Sequence, residues 1–351
     1  MKKLLFVALA AVGMTACVQN EELVVPQNTA AITFADAYVS NATKAEDPTT
    51  TTASIEDFDV WAFMDETTGV VLADEDVTKN GGVWGYYNTQ YWFPNHTYYF
   101  AALSPMESNN VTEVLATGDD AKLGLGTVSF TNVDGTEDLL YAKAKVTTPD
   151  NATLANQGME PVNMHFQHLL SKVKFTFLNG FTTNNVTVAV SNVKMVAPKS
   201  ATINLAQADY SEAWVLGNET LDLEFGATEV LAATASGAAA NERLTIPAPA
   251  TQRYNVSFKV DVYQSGNWAM TEQKSAVIEG LALEMGKAYN FTAVIDQTTL
   301  GLHAIEFTAS VEDWDTPVVE HNIGYYLDSN NGNYVVTSEQ GLQAIVEDIN
   351  A

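Results

Sequence analysis

The apolar positions of this 351-residue chain recur mostly with a period of two, the mark of strands that turn one face to a core and the other to water. The stretch 160–177, EPVNMHFQHLLSKVKFTF, shows this most clearly. Val162, Met164 and Phe166 alternate with Asn163, His165 and Gln167; past a break, Val173, Phe175 and Phe177 alternate with Lys172, Lys174 and Thr176. The apolar set has moved from even to odd numbers. A slip of one residue turns every side chain to the wrong face, so residues 168–171 must form a bulge, a kink or a short connection. We read it as the hinge between an N-terminal and a C-terminal β domain.

Strand patterns also run through 58–64 (FDVWAFM), 98–103 (YYFAAL), 186–190, 256–262 (VSFKVDV), 291–295 and 305–311 (IEFTASV). Turn clusters separate them, among them Asn80-Gly81-Gly82, Asn109-Asn110, Asp134-Gly135, Asn179-Gly180, Ser265-Gly266-Asn267 and the Pro247-Ala248-Pro249 break. No long helical period occurs before residue 337. The expectation is an all-β chain of antiparallel sandwiches and not an α/β arrangement.

The first residues are of another kind. Lys2 and Lys3, an apolar run over 4–12 and the small residues before Cys17 have the form of a secretory signal, with an apolar run too short to span a bilayer. Cys17 is the only cysteine. Directly after Thr15-Ala16, it resembles the acylated cysteine of a bacterial lipobox, with Met14 in place of the usual leucine. Two or three acyl chains on one residue would tether the mature protein durably. Val18-Gln19-Asn20-Glu21-Glu22 resembles the short acidic export signal of surface lipoproteins in the Bacteroidota.

Removing residues 1–16 takes away two lysines and no acid, so the net charge goes from −27 to −29. Such a charge opposes nucleic acid and anionic headgroups, and the only arginines, Arg243 and Arg253, make no basic patch. No intramolecular disulfide is possible, which leaves stability to hydrophobic cores.

Ile32 and Phe34 alternate with Thr33 and Ala35 in a plausible strand, and a small, polar stretch follows over 40–52. Lys44 is the only basic residue between Lys3 and Lys79. A protease specific for basic residues could cut there, between Lys44 and Ala45, or Lys44 is an ordinary solvated linker residue.

The order of these motifs carries a resemblance. An ITF strand and linker precede FDVWAFM; YWFPNHTYYFAALSP (91–105), DLLYAKA (138–144), VNMHFQHLLSKVKFTF (162–177) and IEFTASVEDWDTP (305–317) follow. With the lipobox, the chain from Cys17 to Pro317 resembles the fimbrillin family, the FimA- and Mfa-like fimbrial subunits of Bacteroidota. The resemblance implies two transthyretin-like antiparallel β-sandwich domains in tandem, over 55–160 and 161–317, after a signal (1–16) and a lipidated segment and propeptide (17–54). It also implies assembly by strand addition, once a surface protease removes the N-terminal segment and opens a groove. Members cut by an arginine-specific protease have Arg where this chain has Lys44. The implied partners are other subunits or a second copy, the outer membrane through the lipid, and host or bacterial surface ligands; no cofactor is implied.

The tail, 318–351, extends past the family pattern. Tyr334, Val335 and Val336 read as a short strand, and Thr337-Ser338-Glu339-Gln340 has the form of a capping box opening a helix with Leu342, Ile345, Val346 and Ile349 on one face. That stripe docks on the C-terminal domain, begins a further domain or meets a partner.

Catalytic chemistry finds little support. Of the five histidines only His165 and His168 are close, and three residues apart on a strand they face opposite sides. Asp74-Glu75-Asp76 lacks calcium-loop spacing and reads as a solvated turn. Glu312 and Asp313 are adjacent, and neighbours on a strand project oppositely. There is no GxSxG, HExxH or phosphate loop. The six Trp and 14 Tyr line a glycan-binding face or fill cores, and packing is the better reading. The function read from the sequence is therefore a non-enzymatic fimbrial subunit or fimbria-associated surface lipoprotein, with a lipid-anchored glycan-binding protein of a nutrient-uptake system as the alternative.

Overall fold

The computed structural model describes residues 30–313, apart from 36, 40–49, 66–69, 184, 212–213, 233–236 and 302–303, together with the backbone of 325–328 and 333–336. The first half of the chain gives β1 (Tyr38–Val39), β2 (Asp57–Met64), β3 (Val70–Asn80), β4 (Val83–Gly85), β5 (Thr97–Ser104), β6 (Val111–Leu115), β7 (Gly126–Thr131), β8 (Leu140–Thr147) and β9 (His165–His168). Seven of these form one sheet in the order β1-β9-β8-β5-β2-β3-β4. Its central strands are apolar on both faces, which is why FDVWAFM and YYFAAL read as near-continuous apolar runs. On one face Phe58, Val60, Tyr98, Phe100 and Phe166 meet Ile32, Phe34, Trp92 and Leu154, the last from helix α1 (Asn151–Gln157). On the other, Trp61, Leu103 and Tyr141 meet a second sheet.

That second sheet recruits strands from beyond the hinge. After β10 (Ser171–Asn179) and β11 (Val186–Pro198), the chain forms β12 (Ser200–Asn204) and β13 (Trp214–Leu216), and the order is β13-β12-β7-β6. Thr202 pairs with Ser129 and Ile203 with Val128. Pro198, which cannot donate to a ladder, ends β11 where the strand changes sheets.

The remainder builds a second pair of sheets. Its strands are β14 (Thr220–Gly226), β15 (Leu231–Ala232), β16 (Ala238–Ala239), β17 (Arg243–Thr245), β18 (Tyr254–Gln264), β19 (Asn267–Ile278), β20 (Lys287–Ile295) and β21 (Thr308–Asp313). Sheets β16-β10-β20-β21 and β14-β11-β18-β19 enclose Phe175, Phe177, Phe225, Phe258 and Phe291. A four-residue helix, α2 (Gln297–Leu300), carries a capping box from Asp296. The tail contributes a hairpin of β22 (Tyr325–Asp328) and β23 (Asn333–Val336); the expected helix after it lies outside the described residues, as do Trp314, Asp315, Thr316 and Pro317.

The chain is thus all-β and sandwich-forming. Among the described residues two ladders run parallel, β1 with β9 and β10 with β20 over eight pairs. The connection expected over 168–171 is in place: β9 ends at His168 against Leu140, β10 starts at Ser171 against Thr245, and Leu169 and Leu170 between them are buried. The boundary expected between residues 160 and 161 precedes β9, yet β9 pairs with β8 of the first sheet and the β12-β13 hairpin pairs with β7 in the sheet that faces it. The physical reason is coverage. β6 and β7 alone are too narrow to cover the sheet they face, and a later hairpin widens them. The IEFTASV pattern also shifts: Ile305 and Phe307 pack against the second core, but the ladder begins at Thr308 and all six residues of β21 are exposed.

Candidate functional site

The site with the most to explain is the segment 30–39. It bonds along two borders. Trp92 N–H donates to Ala30 O at 3.0 Å and Ile32 N–H to Gln90 O at 2.8 Å on one side. On the other, Val162 N–H donates to Thr33 O at 2.7 Å, Ala35 N–H to Val162 O at 2.9 Å and Tyr38 N–H to Met164 O at 3.0 Å. β1 then runs parallel to β9, Tyr38 opposite His165 and Val39 opposite Phe166.

The apolar side chains of this segment are buried: Ile32 is 0% exposed, Phe34 6%, Ala37 1% and Val39 1%. Phe34 stands edge-on to Phe58, Tyr86 and Phe100, with ring centroids 5.6, 5.8 and 6.2 Å away. Tyr86 donates its hydroxyl to Ile32 O at 3.0 Å. Edge pairs of this kind contribute about 0.5–1.5 kcal/mol beyond the area they bury. The segment is therefore a strand held between two neighbours by its bonding and a core element by its side chains.

Its downstream end is held in turn. Thr52 Oγ1 accepts from Val39 N–H at 2.9 Å and donates to Val39 O at 3.1 Å, so both ends of the 40–51 stretch are brought together. Thr50 N–H donates to Asp138 Oδ2 at 2.7 Å, and Asp138 Oδ1 lies 3.0 Å from His168 Nδ1. The two side chains are 2% and 0% exposed. This pair joins the linker, the loop before β8 and the last residue of β9 in one buried polar contact. The burial of His168 continues the even-numbered alternation of Val162, Met164 and Phe166, and His165 and His168 face opposite sides as the strand spacing implies. His165 faces the other way, against the Tyr38 ring at 5.4 Å.

Cys17, Lys44 and Ala45 lie outside the described residues. Val39 and Thr50, which bracket Lys44 and Ala45, are described and held as above.

Asp74-Glu75-Asp76, expected as a turn, lies inside β3, with Asp74 at φ +57°. Asp76 pairs with Asp59 across the ladder. Burial, with the nearby Asp74, Asp76 and Glu113, pushes the Asp59 carboxyl up to about 7 against the lowering effect of the Glu107 N–H. Its Oδ1 is buried without a hydrogen-bond partner. Among the described residues, no three His, Cys, Asp or Glu side chains are placed to hold a metal ion, and no helix is long and apolar enough to cross a membrane.

With this geometry in hand, comparison with known proteins is specific. No curated protein sequence matches the chain. A fimbrial protein from Bacteroides vulgatus superimposes with a TM-score of 0.58 at 14% identity, over 81% of this chain and 99% of that one. A candidate cell adhesion protein from Bacteroides uniformis gives 0.48 at 18% identity, over 82% and 98%. A fimbrial assembly protein from Parabacteroides distasonis gives 0.44 at 12% identity, over 88% and 98%. Residues 43–314 match the family model described as fimbrillin-like. That match covers most of the chain, and the chain belongs to the fimbrillin-like family of fimbrial proteins.

Proposed function

We propose that the protein is a fimbrial subunit or fimbria-associated surface lipoprotein that joins other subunits by strand addition and supports cell adhesion. It is exported as a precursor acylated on Cys17, which anchors it in the outer membrane. Cleavage between Lys44 and Ala45 frees the segment 30–39, and a strand from another subunit takes its place. The observation that carries this reading is the double nature of that segment, which fills an aromatic groove yet bonds only along strand borders. An opened groove of this kind, with unpaired N–H and C=O groups on its rim, is a template for an added strand. Family membership supports the same reading. A chain left uncut keeps its lipid and suits an anchoring role in a fimbria.

Intact mass and N-terminal sequencing of the protein from the cell surface test the processing step. The expected mature chain begins at Ala45, and Lys44→Ala leaves a longer, lipid-bound form. An unchanged mature mass in that variant overturns the processing scheme. Exchange tests the assembly step: a labelled peptide of residues 30–39 is expected to enter the cut protein and not the uncut one, and equal uptake by both overturns strand addition at this groove.

A further inference from the structure

The outer face of the β14-β11-β18-β19 sheet carries two irregularities that the fold itself does not require. The first is in β11. Its register with β18 shifts between Ser191, opposite Lys259, and Lys194, opposite Ser257, with Asn192 held at φ +53°. Bulges with a left-handed non-glycine residue are strained, and they recur where a surface is shaped for a ligand. Here the shift opens a cleft of about 410 Å³ bordered by Asn192, Lys194, Glu224, Ser257 and Gln273.

The second irregularity is at the start of β19. Val262 pairs with Met270 but Tyr263 pairs with Trp268, which leaves Ala269 as an extra residue. Strict alternation would place Trp268 on the inner face with Met270, which packs against the second core. The extra residue turns it outward, where it is 64% exposed. Its Nε1–H donates to Thr271 Oγ1 at 3.1 Å, the Thr271 hydroxyl donates to Asp261, and Asp261 pairs with Lys259 at 2.7 Å. This chain of bonds orients the indole with a face toward water. An aromatic ring presented flat on a sheet face is a surface on which a sugar ring can stack.

The charges at the centre of this face neutralise each other, Lys194 with Glu224 at 2.7 Å and Lys259 with Asp261. What remains for a ligand are the amides of Asn192 and Gln273, the Ser257 hydroxyl and the indole. Trp268 and Gln273 lie on one strand, ~17 Å apart at about 3.4 Å per residue. A chain net charge of −27 repels polyanions. We propose that this face binds a neutral oligosaccharide, one sugar ring stacked on Trp268 and the hydroxyls of a later ring bonded in the cleft by Asn192, Ser257 and Gln273. The proposal deepens the adhesive part of the reading above by naming a ligand class, and it is independent of the groove at 30–39.

The test is titration of the purified full-length protein with neutral hexasaccharides of glucose, xylose, mannose and galactose, and with a hexagalacturonate, followed by tryptophan fluorescence and calorimetry. At least one neutral sugar is expected to bind. Trp268→Ala is expected to weaken that binding at least about tenfold, as for an aromatic hot spot. Asn192→Gly keeps the left-handed backbone while removing the amide, and Gln273→Ala removes a second; each is expected to weaken binding about threefold with melting temperature unchanged. No neutral sugar bound at about 10 mM, where affinity is under ~3 kcal/mol, overturns the proposal. So does binding of the hexagalacturonate alone, or binding that Trp268→Ala leaves intact. Peptide exchange at the 30–39 groove is expected to proceed equally in all three variants, so the two proposals fail separately.

Discussion

Replacing Phe34 by alanine removes the side chain that most ties the segment 30–39 to the first core. The ring is 6% exposed and meets three other aromatic rings edge-on. Truncating a buried phenylalanine costs about 3–5 kcal/mol, made up of lost transfer free energy and an unfilled cavity. Phe34 lies on a segment that bonds through strand borders, so the loss has a ceiling: the segment detaches once the loss exceeds its own docking free energy. Two measurements separate the outcomes. Urea unfolding of the uncut protein gives the stability change, and hydrogen exchange of the Ile32, Ala35 and Tyr38 amides, which bond to Gln90, Val162 and Met164, reports detachment. A loss of about 3 kcal/mol or more with fast exchange of these amides alone is expected. Thr33→Ala, at an exposed position on the same segment, is expected to stay within about 0.5 kcal/mol of the parent. A Phe34→Ala loss under ~1 kcal/mol with unchanged exchange refutes the claim that this segment is a core element.

Asp59 gives a pH dependence whose sign is opposite to that of a salt-bridged acid. Its folded value, about 7, lies above the ordinary 3.8, so its penalty is absent below pH ~4, grows as the unfolded chain ionises first, and is complete above pH ~7. The shift corresponds to at most ~4 kcal/mol, and solvent screening of this partly exposed carboxyl reduces it to about 1–2 kcal/mol. Asp59→Asn is therefore expected to stabilise at pH 8 and to be near neutral at pH 4; equal melting shifts at both would dismiss this account. Asp138→Ala takes an acceptor from both Thr50 and His168 inside the protein, with an expected loss of about 2–4 kcal/mol in denaturant unfolding. A loss below ~0.5 kcal/mol would show that the contact does not hold the linker. Gly126 sits at φ +127°, and a Cβ there would stand 2.1 Å from Val114 O. Gly126→Ala is expected to cost more than about 3 kcal/mol by strain and backbone displacement, and a near-parent melting temperature would refute it.

The strands were legible because their signal is local. FDVWAFM, YYFAAL and VSFKVDV carry their own period, and each lies within a strand of the structure. Which strand neighbours which is not local. Nothing in SATIN, the sequence of β12, marks it as a partner for β7 in preference to the sheet of β11. The Asp74-Glu75-Asp76 run misled for a related reason: three acids in a row look like a turn, yet near the edge of a sheet they occupy a strand whose exposed face tolerates charge. Trp268 shows how a bulge defeats alternation, since its even number places it inside and the extra Ala269 turns it out. His168, by contrast, was within reach of the alternation that begins at Val162.

The segment 30–39 combines these two lessons. Ile32 and Phe34 show the period of a strand, but a two-residue alternation does not say whether a strand closes its own domain or stands in for a neighbour. The answer depends on what holds it. Here the holding contacts are border hydrogen bonds, four buried apolar side chains and the covalent link through 40–51, whose ends Thr52 draws together. A short tether keeps its segment at an effective concentration of the order of millimolar. The cut proposed at Lys44 would leave the described contacts of residues 30–39 in the groove intact and remove only that tether. Under that proposal, a strand from another chain would compete for the groove on side-chain fit and concentration alone. If the proposed processing holds, retention and exchange would be set by one peptide bond and not by any change in the groove, so that a folded precursor could be stored whole and still be ready to assemble.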